Sequence, residues 1–111
     1  MIVAFSVAPS GPRPDAHPDH DAPSSDSVHD AVAAAGRIVR ESGLPNRTSS
    51  MFTEIEGEWD EVFDVVKRAT EAVAAYGSRV SLVLKADIRP GHQGELDGKI
   101  ERLERAIERS H

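Results

Sequence analysis

The sequence predicts an α+β sandwich, in which two helices cover one side of an antiparallel sheet and an additional helix follows at the C-terminal end. Segments with apolar residues at every second position predict four strands. Segments with apolar residues at helical spacing predict the helices that separate and follow those strands. A chain of 111 residues has room for one hydrophobic core, so we expect a single domain over residues 1–111.

A long loop is expected between the first strand and the first helix. Residues 2–8 alternate in the manner typical of a strand. Residues 10–26 are dense in Pro, Asp, Ser and His, which predicts a flexible loop with almost nothing to bury. Ser27 is expected to cap the first helix, because Asp30 lies three residues later near the positive end of the helix dipole. Gly43 is expected to end that helix.

The later elements have clearer patterns. A short strand within residues 44–50 and a better one over residues 51–56 precede a helix that begins after Gly57. We interpret Trp59 as a core anchor of this helix. Residues 79–88 form the strongest strand pattern of the chain. The apolar stripe expected on the second helix is Trp59, Val62, Phe63, Val66, Ala69 and Val73.

The order of elements predicts a ferredoxin-like βαββαβ sandwich, because right-handed crossovers place both helices on the same side of the sheet. The opposite side, which we call the open face, should be only partly polar. The final helix carries a narrow apolar seam that should dock onto another surface. The residues predicted to face the helices are Val3, Phe5, Val7, Thr53, Ile55, Val80, Leu82, Leu84 and Ile88. The residues predicted on the open face are Ile2, Ala4, Ser6, Phe52, Glu54, Ser81, Val83, Lys85 and Asp87. The apolar seam of the final helix consists of Leu96, Ile100, Leu103 and Ile107.

The mixed character of the open face indicates an interface between copies of the chain with a polar pocket inside it. Two simpler interpretations stay open. The face could be an ordinary solvated surface with a few scattered apolar residues, or the C-terminal helix alone could cover it. The first interpretation predicts a homodimer or homotetramer formed through the open face.

Composition excludes several function classes. Thirteen Lys and Arg against nineteen Asp and Glu give a net charge of −6, which disfavours nucleic acid and anionic lipid and favours neutral or cationic ligands. An RNA-binding domain of this fold would need stacking aromatic residues on the open face, where only Phe52 qualifies. Cysteine is absent, which excludes disulfides and thiolate chemistry. The apolar N-terminal run lacks a basic leader, and we expect a cytoplasmic protein.

Several short motifs together resemble one known family, the small ferredoxin-like thiamine-binding proteins. The matching residues are Ser6, Val7, Pro9 and Gly11 after the first strand, Ser27 at the first helix, Met51, Thr53, Ile55, Glu56 and Gly57 before the second helix, and Val62, Val66 and Ala69 within it. The resemblance implies dimers that pair through their sheets into tetramers, a cytosolic location, and a site for thiamine or its hydroxymethylpyrimidine moiety near the subunit contacts. The chain departs from the family in a longer, His-rich loop and in Phe52, where the family often has glycine.

An aminopyrimidine cation needs an apolar or aromatic platform, hydrogen-bond partners and a nearby negative charge. The predicted ligand-binding residues are Ser6, Phe52, Thr53, Glu54, Lys85 and Asp87. Alternatives remain for three of them. Phe52 could stack on the ligand or plug the pocket against a neighbouring subunit, Lys85 could simply pair with a neighbouring carboxylate, and Thr53 could point to the core.

The loop around His17 and His20, with Asp19, Asp21 and the later His29, contains residue types that bind zinc or nickel. A loop without fixed geometry makes a weak metal site, so we predict no metal and no cofactor beyond the ligand itself. No nucleophile turn or glycine-rich phosphate loop is recognisable, and we therefore predict no catalytic residues and no enzymatic activity. The predicted function is a thiamine or pyrimidine carrier or sensor. The alternative is a structural or regulatory interaction module without a small-molecule ligand.

Overall fold

The computed structural model describes residues 1–12, 25–49, 51–90 and 95–109. The elements in chain order are β1 (Ile2–Ser10), α1 (Ser25–Glu41), β2 (Asn46–Thr48), β3 (Thr53–Glu56), α2 (Trp59–Ala74), β4 (Arg79–Asp87) and α3 (Glu95–Arg109). The four strands form one antiparallel sheet in the order β2-β3-β1-β4. This confirms the predicted ferredoxin-like sandwich with an additional C-terminal helix.

The core lies between the sheet and the helix pair α1 and α2. Val3 and Ile55 are fully buried on the helix-facing side of the sheet, and Val62 is fully buried on α2. Val65, which the predicted stripe omitted, is also buried there. The buried members of the core are Val3, Phe5, Val7, Ala31, Ala35, Val39, Ile55, Val62, Val65, Val66, Ala69 and Val73.

The start of α2 is fixed by its own first turn. The backbone N–H of Glu58 donates a hydrogen bond to Oε1 of Glu61 at 3.2 Å. Asp60 and Glu61 place negative charge at the positive end of the helix dipole, which stabilises this terminus. At the other helix, α1 begins at Ser25, so Ser27 lies inside the helix and the predicted capping role for it is wrong.

The turn between β2 and β3 shortens the predicted strand at residues 51–56. The Ser49 hydroxyl accepts hydrogen bonds from the backbone N–H groups of Met51 (3.4 Å) and Phe52 (3.1 Å). The Ser49 N–H in turn donates to the Phe52 carbonyl at 2.8 Å. These bonds close a tight turn, so β3 begins only at Thr53 and Phe52 lies outside the strand.

The prediction that Trp59 anchors the core is wrong. Its side chain is 54% exposed and stacks on Phe63, with the ring centroids 5.3 Å apart and an interplanar angle of 12°. Trp59 is the first residue of α2. Helical spacing places it on the apolar stripe, but spacing does not show how far along the helix the core extends.

Two residues assigned to the helix-facing side are also more exposed than predicted. Leu82 is 43% exposed although its neighbour Leu84 packs against the core. Ile88 lies beyond the end of β4 and is half-exposed. Both results follow from the position of β4 at the edge of the sheet. The helix α2 covers the edge strand β4 less completely than it covers the central strand β1.

The C-terminal helix packs on the open face, near the start of β1. Leu96 is only 5% exposed, and Ile2 on the open face is buried as well. The guanidinium of Arg47 on β2 donates to the Asp97 carboxylate on α3. Farther along the seam, Leu103 and Ile107 are exposed. The helix therefore covers one part of the open face and leaves another part uncovered. Among the described residues, no helix is both long and apolar enough to cross a membrane.

Candidate functional site

The strand register aligns charged residues in rows across the open face. Glu54 on β3 and Lys85 on β4 are both opposite Ala4 of β1. One step along the strands, Glu56 and Asp87 are both opposite Ile2. Because side chains two residues apart on a strand share a face, all six point to the open side of the sheet. The result is an apolar floor on β1 with charged side chains on both flanks.

The first turns of α3 cover this floor and form a cavity of about 220 Å³, which we call the α3 cavity. Its lining residues are Ile2, Ala4, Glu54, Lys85, Asp87, Leu96 and Ile100. Glu54 is half-buried, whereas Lys85 and Asp87 are exposed at the rim. Apolar walls with a few convergent polar groups are the usual composition of a small-molecule site.

The charges in the α3 cavity favour a ligand with hydrogen-bond donors or a positive charge. Among the described lining residues, the carboxylates of Glu54 and Asp87 outnumber the ammonium group of Lys85. A carboxylate accepts hydrogen bonds from amines and protonated ring nitrogens, and Lys85 can donate to a ring nitrogen or a hydroxyl group. The described lining residues include no Ser, Thr or His, so none of them offers a hydroxyl or imidazole for nucleophilic catalysis.

A second cavity, of about 200 Å³, lies where β1 extends past β3; we call it the turn cavity. The pairing of β1 with β3 ends where Phe5 lies opposite Thr53. The residues of β1 after Phe5 therefore have no partner on β3, and they line the cavity together with residues of α1. Its lining residues are Phe5, Ser6, Val7, Ala8, Val32, Ala35, Gly36, Val39, Thr48, Ser49, Met51, Phe52 and Thr53. The described part of this lining has hydroxyl groups and aromatic rings but no charged side chain.

The six predicted ligand-binding residues therefore divide between two places. Glu54, Lys85 and Asp87 line the α3 cavity, and Ser6, Phe52 and Thr53 line the turn cavity. Thr53 is opposite Phe5, on the helix-facing side. The β1–β3 pairing ends at Phe5 and Thr53, and this early end separates the two groups in the single chain.

The prediction did not include the residues that enclose the α3 cavity. Ile2 and Ala4 belong to the predicted open face but not to the predicted site, and Leu96 and Ile100 belong to the predicted docking seam. The seam was the available signal, because an apolar stripe on a charged helix must cover something. The His-rich loop with residue types that could bind a metal, for which no metal is predicted, lies outside the described residues, as do its four potential ligands at 17 and 19–21; the later His29 is exposed. The described residues contain no cluster of three or more potential metal ligands.

These features describe a small ferredoxin-like protein with a half-polar cavity of ligand size on its sheet. The chain matches the family described as thiamine-binding protein over residues 3–104 and belongs to that family. The family is thus named for binding rather than for a reaction.

Relatives and solved structures agree with this assignment. The UPF0045 proteins of Mycobacterium bovis and Mycobacterium tuberculosis are each 46% identical over 108 residues, covering 96% of this chain and 94% of theirs. A domain of unknown function from Bacillus cereus superimposes with a TM-score of 0.69 at 30% identity, covering 89% of this chain and 85% of that one. A candidate thiamine biosynthesis or salvage protein from Thermotoga maritima shares the fold, with a TM-score of 0.61 at 20% identity and coverage of 91% and 99%.

Proposed function

We propose that this protein is a non-enzymatic carrier or sensor that binds thiamine or its hydroxymethylpyrimidine moiety in the α3 cavity. Membership of the thiamine-binding family supports the ligand class. The observation that carries the choice of cavity is the pair of carboxylates, Glu54 and Asp87, around an apolar floor. An aminopyrimidine presents a flat apolar ring with an amine on its edge, and both parts have a counterpart there.

The orientation of the ring follows from the arrangement of these groups. The ring would lie on Ala4 and Ile2 and beneath Leu96, which replaces water on both of its faces with apolar contacts. The exocyclic amine would donate to Glu54, the less exposed carboxylate. Because hydrogen bonds that involve a charged group are the stronger ones, Glu54 should contribute more to affinity than a neutral acceptor would.

Titration calorimetry with thiamine and with hydroxymethylpyrimidine tests the proposal. Glu54→Gln keeps the side-chain size and removes the charge, so it should weaken binding by about tenfold or more. Glu71→Gln, on the exposed side of α2, is the matched control and should leave affinity unchanged. A thiamine analogue with a carbonyl in place of the exocyclic amine should bind more weakly to the wild-type protein and lose less on Glu54→Gln.

The turn cavity is the competing site within the same chain, and substitutions in the two cavities show which of them binds the ligand. If Phe52→Ala abolished binding while Glu54→Gln had no effect, the ligand would belong in the turn cavity and the role proposed for the α3 cavity would be wrong. Absence of heat with either compound at millimolar concentration would contradict the ligand class itself. Turnover of any thiamine derivative by the purified protein would contradict the non-enzymatic role.

Self-association through the uncovered part of the open face belongs to the same proposal, as a homodimer or homotetramer in the cytoplasm. Val83 on the open face is 56% exposed, and Leu103 on the seam of α3 is 61% exposed. These apolar residues also favour the second candidate function, an interaction module without a small-molecule ligand. A stable oligomer that binds neither compound would favour that second function.

A further inference from the structure

A third cavity adjoins the turn cavity along the exposed side of α1. Its volume is about 620 Å³, and Val32 and Gly36 of α1 together with Thr48 of β2 line both cavities. Because they share these residues, the two cavities form one continuous groove between α1 and the edge strand β2, which we call the α1 groove. The α1 groove lies on the helix-facing side of the sheet, whereas the α3 cavity lies on the open face.

The inner end of the α1 groove is apolar and reaches the core. Phe5 and Val39 line it and are each 2% exposed, and the half-buried Phe52 lines it as well. Val32 and Met51 belong to the same lining and are 52% and 73% exposed, so the apolar surface continues from the core to solvent. An apolar lining of this kind favours the apolar or aromatic body of a small molecule.

The outer end of the α1 groove has an excess of positive charge. Arg37 and Arg40 are three residues apart on α1, so they are neighbours on the helix surface. Glu41 is the only acidic residue among the described lining residues of this end. Within the described ranges, neither guanidinium lies within ion-pairing distance of a carboxylate. Two such guanidinium groups favour a carboxylate or phosphate group, which arginine binds through paired hydrogen bonds.

Gly36 joins the two ends of the α1 groove. A Cβ atom added at this position meets nothing within 4 Å, so there is open space over the helix at the junction. Glycine in the interior of a helix costs about 1 kcal/mol relative to alanine. The absent side chain leaves a ligand room to extend from the apolar end to the arginines.

The charge balance of the α1 groove is the reverse of that in the α3 cavity. Among the described residues, guanidinium groups outnumber carboxylates in the α1 groove, and carboxylates outnumber the ammonium group in the α3 cavity. The local excess at α1 also runs against the net charge of −6 of the whole chain. The two cavities therefore favour ligands of opposite charge.

We propose that the α1 groove binds an organic anion with an aromatic or apolar body. The body lies against Phe52 and Val32, and its carboxylate or phosphate group accepts hydrogen bonds from Arg37 and Arg40. The Thr48 hydroxyl, which lines both cavities, can donate a further hydrogen bond to the anionic group. This ligand differs in charge and position from the cation proposed for the α3 cavity, so the inference does not depend on that function.

NMR titration of the ¹⁵N-labelled protein with benzoate and phenyl phosphate tests the ligand class, with benzyl alcohol as the neutral counterpart. Both anions should shift amide signals of α1, β2 and β3 and bind about tenfold more tightly than benzyl alcohol. The tighter of the two identifies the preferred anionic group. Inorganic phosphate should bind more weakly than phenyl phosphate, because it lacks the apolar body. Equal affinity for benzoate and benzyl alcohol, or for phenyl phosphate and inorganic phosphate, would overturn the proposal.

Substitutions at the charged end test the role of the arginines. Arg37→Gln and Arg40→Gln should each weaken binding of the tighter anion by about tenfold and leave binding of benzyl alcohol unchanged. Lys67→Gln removes one positive charge from an exposed position of α2 and should have no effect. An equal loss in all three variants would show only a general effect of net charge and would contradict the site.

Gly36→Leu tests the junction without weakening the helix. Leucine has a higher helix propensity than glycine, so thermal stability should be kept or raised while the added side chain fills the open space and abolishes binding of phenyl phosphate. Unchanged binding by Gly36→Leu would overturn the proposed path of the ligand. Thiamine should not displace phenyl phosphate, because the two sites lie on opposite sides of the sheet. Direct competition between them would show that the α1 groove is not a separate site, whereas failure of thiamine to bind at all would leave the α1 groove unaffected.

Discussion

Glu54 of β3 and Lys85 of β4 are opposite the same residue of β1, Ala4. Neighbouring strands are about 4.8 Å apart, so the two backbone positions are separated by about 10 Å. A carboxylate and an ammonium group therefore stand on either side of a strip of small and apolar residues. This spacing leaves room between the charges for a flat ring, which is the physical basis of the proposed ligand site.

The core prediction concerns Ile55, which is fully buried where β3 meets the helices. Ile55→Val removes one methylene group and should lower the free energy of unfolding by about 1 kcal/mol, and Ile55→Ala should lower it by about 3 kcal/mol because a cavity remains. Urea unfolding followed by circular dichroism measures both. Equal losses for the two variants would show that the surrounding side chains collapse into the space.

Two glycines should respond in opposite directions to alanine. In α1, a Cβ atom added at Gly36 meets nothing within 4 Å, so Gly36→Ala should raise the free energy of unfolding by up to about 1 kcal/mol through helix propensity. A Cβ atom at Gly77 would lie 2.6 Å from the Ser10 carbonyl oxygen. Gly77→Ala should therefore lower the free energy of unfolding by about 2 kcal/mol, because the backbone must shift to relieve the contact between the new Cβ atom and the Ser10 carbonyl oxygen. Thermal unfolding of both variants checks the opposite signs.

The first turn of α2 permits a matched pair of substitutions. Glu61→Ala removes the acceptor of the Glu58 N–H, whereas Asp60→Ala removes a similar charge from the same turn. Glu61→Ala should cost about 1 kcal/mol, and Asp60→Ala should cost roughly half as much, because only the dipole interaction is lost. Chemical denaturation measures the difference. A larger loss for Asp60→Ala would show that the hydrogen bond to Glu61 contributes little.

Leu96 should control the docking of α3 without controlling the main core. It is nearly fully buried against the open face, whereas Leu103 on the same seam is exposed. Leu96→Ala should accelerate amide hydrogen exchange in α3 by about tenfold or more and leave exchange in α2 unchanged, because the helix can open locally. Leu103→Ala is the control and should leave α3 of the monomeric chain protected. Faster exchange throughout the protein would instead place Leu96 in the cooperative core.

Trp59 provides a spectroscopic check on the helix end. Since it is half-exposed and stacked on Phe63, its fluorescence should be quenched readily by acrylamide in the native state. Unfolding should change that quenching only modestly. Strong protection of Trp59 in solution would indicate that another copy of the chain, or the ligand, covers it.

The amino-acid sequence predicted much of the architecture because local patterns determine local structure. Alternation along β1 and β4 and the stripe on α2 were sufficient to predict those elements and their order. The same patterns were wrong for Trp59 and Leu82. The period of an apolar pattern shows which face of its element a residue occupies. Whether that residue is buried depends on how far the neighbouring element extends over it.

The sequence by itself determined the βαββαβ order, the single core, the acidic charge and the family. Only the tertiary structure decided that α3 covers part of the open face and that the predicted site residues divide between two cavities. The reason is that strand register and helix docking depend on contacts between residues distant in sequence, as with Arg47 and Asp97, and no local pattern encodes such distances.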